Sequence, residues 1–248
     1  WGVVCHLNAV SNTPDLRAAH SNQQPEVIRF INKIGQSKII HQALTSLKEE
    51  CIEILDETQI RILDKELISM NQRGVGLSGV NQEAFNSASE KLAELSTTFS
   101  NNVLDATKDW SLLLTKKSEI EGLPLRALEI LANSAIEAGD KGKDGSDAPN
   151  GQDGPWRLGL DMPRYMPFMT YSTNRDLREF LYKAYVSRAS QGNLDNKPLI
   201  QEILNIRIEQ ARRLGHKSWA ELSLTSKMAT DINAVEQLLE ELRSAAMP

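Results

Sequence analysis

NQEAFNSASEKLAELSTTFSNNVLDATKDW, residues 81–110, carries one unbroken helical stripe. Its apolar side chains fall at Phe85, Ala88, Leu92, Leu95, Phe99, Val103, Ala106 and Trp110, in steps of 3, 4, 3, 4, 4, 3 and 4. Steps of three and four place them on one face of a helix roughly 40 Å long, at about 1.5 Å per residue. Polar residues fill the opposite face. The residues just before it, GVGLSG at 74–79, fit G-x-G-x-x-G and raise the question of a phosphate cradle. Such a cradle needs a strand before it and a helix after it. Here the preceding apolar residues are Ile52, Leu55, Ile62, Leu63, Leu67 and Met70, spaced as in a helix. Asn81 stands where a kinase loop has Val. The glycines therefore read as a helix-to-helix connection, with Gly74 closing the first helix and Arg73 in its last turn. Two helices so joined are expected to pack as a long antiparallel hairpin over 48–110.

The rest of the chain also reads as mainly α. PEVIRFINKI (25–34) is expected to start a helix at Pro25 and to bury Val27, Phe30, Ile31 and Ile34. After a break at Gly35-Gln36-Ser37, a second stripe runs through Ile39, Ile40, Ala43, Leu44 and Leu47. LRALEILANSAIEA (125–138) is again helical. WSLLLT (110–115) and WRLGLD (156–161) read as partners in at most a short two-stranded β element. Helices follow at PFMTYS (167–172), 174–190, 198–215, 218–228 and 231–245, with Pro198 opening one, Gly215 closing it and Thr230 capping the last. The domain reading is a helical lobe at 1–138, a mobile Gly/Asp loop at 139–155, and a second helical segment at 156–248. That loop does not have EF-hand spacing, because Gly142 occupies the third ligand position counted from Asp140.

Composition narrows the function classes. The 248 residues are 40% apolar and 25% charged, with a formal net charge of −5. An acidic chain offers no general surface for nucleic acid. No apolar run approaches a membrane span. Cys5 and Cys51 are too few and too far apart for a disulfide framework and fit a reducing, intracellular compartment. The four histidines, His6, His20, His41 and His216, form no H-E-x-x-H pair, and G-x-S-x-G is absent. No catalytic or metal-ligating set can be assembled. Adjacent Glu49-Glu50 and Glu240-Glu241 diverge around their helices. One polar face stands out. Arg175, Arg178, Tyr182 and Tyr185 fall at steps of 3, 4 and 3, and Arg188 continues the line. Guanidinium and phenol groups so aligned can donate to a peptide carboxylate or backbone. The same pattern also suits ordinary helix packing with buried tyrosine rings.

Ordered segments along nearly the whole chain carry a resemblance. They are VVCHLNAVSNTPDLRAAH (3–20), QPEVIRF (24–30), GQSKIIHQAL (35–44), FSNNVLDATKDW (99–110), IEGLPLRAL (120–128), LDMPRYMPFMTYSTNRDLREFLYKAYVSRAS (160–190) and LTSKMA (224–229). With these the chain resembles the N-terminal part of the oligopeptidase A and thimet oligopeptidase family of zinc metallopeptidases, nearest the plant and bacterial oligopeptidase A branch. The resemblance implies a largely helical protein with a deep channel that admits short peptides. It implies zinc held by a His-Glu-x-x-His helix and a further Glu, with the motif Glu activating the metal-bound water. Those elements lie in a later part of the family's chain, so no family zinc or catalytic residue maps onto residues 1–248. The chain is then expected to form a channel wall, to bind no zinc and to be inactive alone. The rival expectation is a stand-alone helical module that binds peptides or proteins, or self-associates through the face a missing lobe would cover. The resemblance implies the cytosol or an organelle interior.

Overall fold

The computed structural model describes residues 1–142 and 148–247. Along the chain, α1 (Gly2–Val10), α2 (Pro14–Gly35), α3 (Lys38–Glu50), α4 (Glu57–Gln72) and α5 (Gly79–Asp109) lead to strand β1 (Ser111–Leu114). Then come α6 (Leu125–Glu137), strand β2 (Trp156–Gly159), α7 (Met162–Tyr171), α8 (Arg175–Val186), α9 (Lys197–Arg213), α10 (Trp219–Leu224) and α11 (Ile232–Ala246). The protein is mainly α, and β1 and β2 make the one sheet among the described residues. Two compact units divide it, one of Trp1–Thr97 with the chain from Leu199 onward, the other of Thr98–Pro198.

In the first unit, helix ends are set by short polar side chains. Thr13 Oγ1 accepts the Leu16 N–H at 3.3 Å, with Pro14 in the first turn, so α2 starts eleven residues before the expected Pro25. Pro25 lies inside a continuous helix. The expected inner face of α2 is also turned. Phe30 is 62% exposed, Ile34 is exposed, and the buried positions are His20, Asn32 and Gly35. The reason is that α2 meets α5 through polar groups. Gln24 Nε2 donates to Ala93 O and Thr97 Oγ1, Arg29 to Glu90, and Gln36 Nε2 to Asn86 Oδ1 at 2.7 Å. The falling partner numbers make α2 and α5 antiparallel. The α3 stripe is likewise outside, with Ile39 80% exposed and no buried residue in the helix.

The first arm of the expected hairpin begins at Glu57 rather than near 48. Asp56 Oδ1 accepts the Gln59 N–H at 2.8 Å and Gln59 Oε1 accepts the Asp56 N–H at 3.0 Å, a reciprocal cap that starts α4 afresh. The helices that run close together there are α3 and α4, tied by Lys48 and Asp64 at 2.5 Å. At the other end of α4 the Gly74 reading holds. Gly74 has φ +80°, its N–H bonds Asn71 O at 3.0 Å, and the Val75 N–H bonds Met70 O at 3.1 Å. This is a Schellman closure of α4, so a helix and not the strand of a phosphate cradle leads into the glycines. Helix α9 packs on α5 through buried Gln210, whose Nε2 donates to Phe85 O and Ser89 Oγ, and through Arg213 to Asn81. Asp231, one residue after the expected Thr230, caps α11 by accepting the Ala234 N–H.

The second unit contains a cluster of buried apolar side chains. β1 and β2 pair antiparallel, from Ser111 opposite Gly159 to Leu114 opposite Trp156. Trp156, Leu158, Phe168 and Leu181 are fully buried there with Leu114, Leu131 and Leu160. Each such side chain stabilises the fold by about 1.5–3 kcal/mol. Helix α7 begins at Met162, capped by Asp161, so the expected start at Pro167 falls inside it. Of the Gly/Asp stretch 139–155, residues 143–147 lie outside the described residues. The described part is tied down. Asn150 Oδ1 accepts the N–H groups of Gln152 and Asp153, and Asp140 forms two 2.8 Å bonds with Arg157 Nε and Nη2. Arg157 Nη1 also donates to Ser111 Oγ at 2.7 Å, so one guanidinium holds both strands and the end of α6.

Hydrogen bonding to Arg157 holds the Asp140 carboxyl below the usual carboxylate range. A depressed folded pKa contributes stability above the unfolded value, and this is lost as pH falls through the folded one. Asp140→Asn should therefore cost about 1–3 kcal/mol at neutral pH. Its melting temperature should fall less steeply than the native chain's as pH drops from about 5 to about 2. Gly122 has φ +89°, and a Cβ there would lie 2.2 Å from Tyr171 O. Gly122→Ala is expected to destabilise by at least about 1 kcal/mol in chemical denaturation.

Candidate functional site

The polar face singled out in the sequence lies on α8. Asn174 starts this helix by accepting the Leu177 N–H at 3.0 Å, which fixes the direction of every later side chain. Arg175 stands exposed in the first turn. Glu179, four residues after Arg175, bonds Lys183 at 2.5 Å. The Glu179 carboxyl is lowered by that hydrogen bond and by the Lys183 charge, with Arg175 contributing through space. Arg178 turns back, and its Nη1 donates to Ser172 O at the end of α7. Ser172 is buried, and its Oγ accepts the Asn174 N–H at 3.2 Å, so Arg178 completes the α7–α8 corner.

The tyrosines also divide. Tyr185 stacks on buried Tyr165 with ring centroids 4.1 Å apart and planes 23° from parallel. The Arg188 guanidinium lies 3.6 Å from the Tyr185 ring centre, completing a three-layer stack. Burial raises the Tyr165 phenol above its ordinary pKa, and Tyr185 and Tyr182 raise it further while Arg188 opposes them. Tyr182 is 52% exposed. The four aligned residues thus have separate surroundings: Arg178 and Tyr185 are built into packing, whereas Arg175 and Tyr182 present their groups to solvent.

A cavity of about 630 Å³ opens on the other side of α8. Phe180, Lys183 and Ala184 line it with Trp110, Leu160 and Arg188. Trp110 and Phe180 meet at a tilt, 6.1 Å between centroids. Only Arg188 joins this cavity to the polar line. The signal for it lay in Phe180, Lys183, Ala184 and Ser187, at steps of 3, 1 and 3, which the charged face overshadowed. Among the described residues no three His, Cys, Asp or Glu side chains converge as a metal set.

Comparison with known proteins bears on the family of the chain. Residues 1–82 match the family model described as Neurolysin/Thimet oligopeptidase, N-terminal domain. Residues 168–248, which include α8, match the model of Peptidase family M3. The chain is 42% identical over 99% of its length to a probable cytosolic oligopeptidase A of Arabidopsis thaliana, covering 34% of that protein. It is 44% identical to the organellar, chloroplastic/mitochondrial oligopeptidase A of the same plant, again over 99% of this chain and 30% of that one. Oligopeptidase A of Haemophilus influenzae is 36% identical over 100% of this chain and 35% of its own. The chain therefore spans about a third of the length of these relatives. With two family models met in order and this chain matched along its whole length by relatives, the chain belongs to the oligopeptidase A and thimet oligopeptidase family, peptidase family M3.

Proposed function

We propose that this chain is a non-catalytic portion of a zinc metalloendopeptidase that hydrolyses short peptides, and that it forms a wall of the peptide channel. The observation that carries the reading is the match over 99% of this chain to about a third of a protein named an oligopeptidase. The residues present do not fit zinc. H-E-x-x-H is absent from the sequence, and the described residues bring together no ligand set. No chemical step is assigned through the metal here. What the chain can supply is shape and polar donors. Arg175 and Tyr182, exposed on one face of α8, are the groups we assign to peptide contact. Arg178 and Tyr185 hold that face in place. The relatives are named for the cytosol and for chloroplasts and mitochondria, which supports the cytosol or an organelle interior for this chain.

A second reading, a helical module that binds peptides or self-associates, is favoured by one observation. Helix α11 buries no residue, and Leu238, Leu239 and Leu242 are all exposed. Apolar faces of this kind promote association.

The purified chain with added zinc and a quenched fluorescent short peptide is expected to give no chelator-sensitive turnover. Turnover abolished by a chelator would overturn the non-catalytic reading. The division of α8 is tested separately. Arg175→Ala and Tyr182→Ala should leave the denaturation midpoint within about 0.5 kcal/mol of native. Arg178→Ala and Tyr185→Ala should each cost about 1–3 kcal/mol, because each leaves a packed or hydrogen-bonded neighbour without its partner.

A further inference from the structure

The helical pair α1–α2 holds a thiol and an imidazole together. Cys5 Sγ lies 3.6 Å from His20 Nε2, fifteen residues apart in sequence. The turn that brings them together is tight: Asn12 Nδ2 donates to Asn8 O at 2.7 Å, and Thr13 caps α2. His20 is 4% exposed, and Trp1 stacks on its ring at 4.7 Å and 24°. Its other ring nitrogen, Nδ1, is buried and makes no hydrogen bond. A buried imidazole with one orphan nitrogen has its only polar outlet at the sulfur. Cys5 itself is only half-buried, less shielded than the histidine beside it.

We propose that Cys5 and His20 form a thiol–imidazole pair that makes Cys5 a preferred site of oxidation by small hydroperoxides. Burial lowers the imidazole pKa and so favours its neutral form, whose Nε2 lone pair lies beside the thiol to take its proton in passing. In the step, Sγ attacks one oxygen of hydrogen peroxide and the O–O bond breaks. Sulfur is oxidised to the sulfenic acid and the peroxide is reduced to water. The thiol proton passes through Nε2 to the departing hydroxide. The thiolate is the reacting form, so a positioned proton acceptor raises the rate. Cys51, at the end of α3, is also half-buried and its thiol has no hydrogen-bond partner among the described residues, so it is the comparison within the same chain. The pair is independent of the peptide reading and of α8.

The test uses the full chain with limiting hydrogen peroxide and dimedone near neutral pH, with label at Cys5 and Cys51 quantified by mass spectrometry. Cys5 is expected to be labelled about tenfold faster or more, a threshold set below the roughly 10²–10⁴-fold that a well-positioned base contributes. His20→Phe keeps a ring for Trp1 to stack on, and should bring Cys5 down to the rate of Cys51. His20→Gln should do the same. The ratio within the native chain needs no variant, so it stands if a substitution fails to fold. Equal labelling of the two cysteines overturns the pair. So does an unchanged Cys5 rate in a folded His20 variant.

Discussion

Buried amide side chains along α5 are the constraint on which the helical packing rests. In the first unit, Gln36 reaches Asn86, Gln82 and Arg73 O, and Gln210 reaches Phe85 O and Ser89. In the second, Asn196 Nδ2 donates to Phe99 O at 3.1 Å, and its Oδ1 accepts from Asn102 at 2.9 Å. All three amides are buried. A net hydrogen bond is worth only about 1 kcal/mol, but a buried amide left unpaired costs about 1–3 kcal/mol. The asymmetry sets register. Sliding α2 along α5 by one turn would leave Gln36 without its partners, and sliding α9 would do the same to Gln210, whereas an apolar seam would lose little. The apolar stripe of α5 gives the attraction, and the amides fix where along it the neighbours stop.

That division explains what the sequence disclosed. The stripe from Phe85 to Trp110 is a pattern of one element with itself, and it emerges as α5 with Phe85 and Leu95 buried. The β1–β2 pairing was equally legible, because WSLLLT and WRLGLD are short, apolar and bounded by turn residues. The caps at Asp56, Asp161 and Asp231 show where the reading fell short. Asp56 has Gln59 three residues on, yet the charged run around it passes as one helix unless the cap is weighed above the periodicity. The turned face of α2 was not legible at all. Phe30 and Ile34 make a good stripe, and only the position of α5 decides that Gln24, Arg29 and Gln36 are the side chains that reach it.

The α8 face was legible in outline and not in role. Spacing alone aligns Arg175, Arg178, Tyr182 and Tyr185. Whether each one meets solvent depends on Ser172 and Tyr165, contributed by α7 and the corner after it, and no helical period carries that information. The cavity beside Trp110 and Phe180 was missed for a related reason. Its lining is assembled from the end of α5, the strand exit at Leu160 and the far side of α8.

The three-layer stack of Tyr165, Tyr185 and Arg188 shows why such a face can be rigid without being very stable. Arg188 Nε and Nη1 are buried and make no hydrogen bond. Each unmade bond to a buried donor costs about 1–3 kcal/mol, and a cation over an aromatic ring returns about 0.5–2 kcal/mol. The π face therefore offsets only part of the desolvation. What the arrangement gains is position. A planar guanidinium over a ring, itself flat on a second ring, leaves few alternative rotamers for Tyr185. With Tyr185 so held and Arg178 bonded to Ser172 O, the α8 backbone is pinned at both ends of the polar line. Tyr182 and Arg175 then project from a fixed surface, and the ordering cost of any contact they make falls on two side chains rather than on the helix.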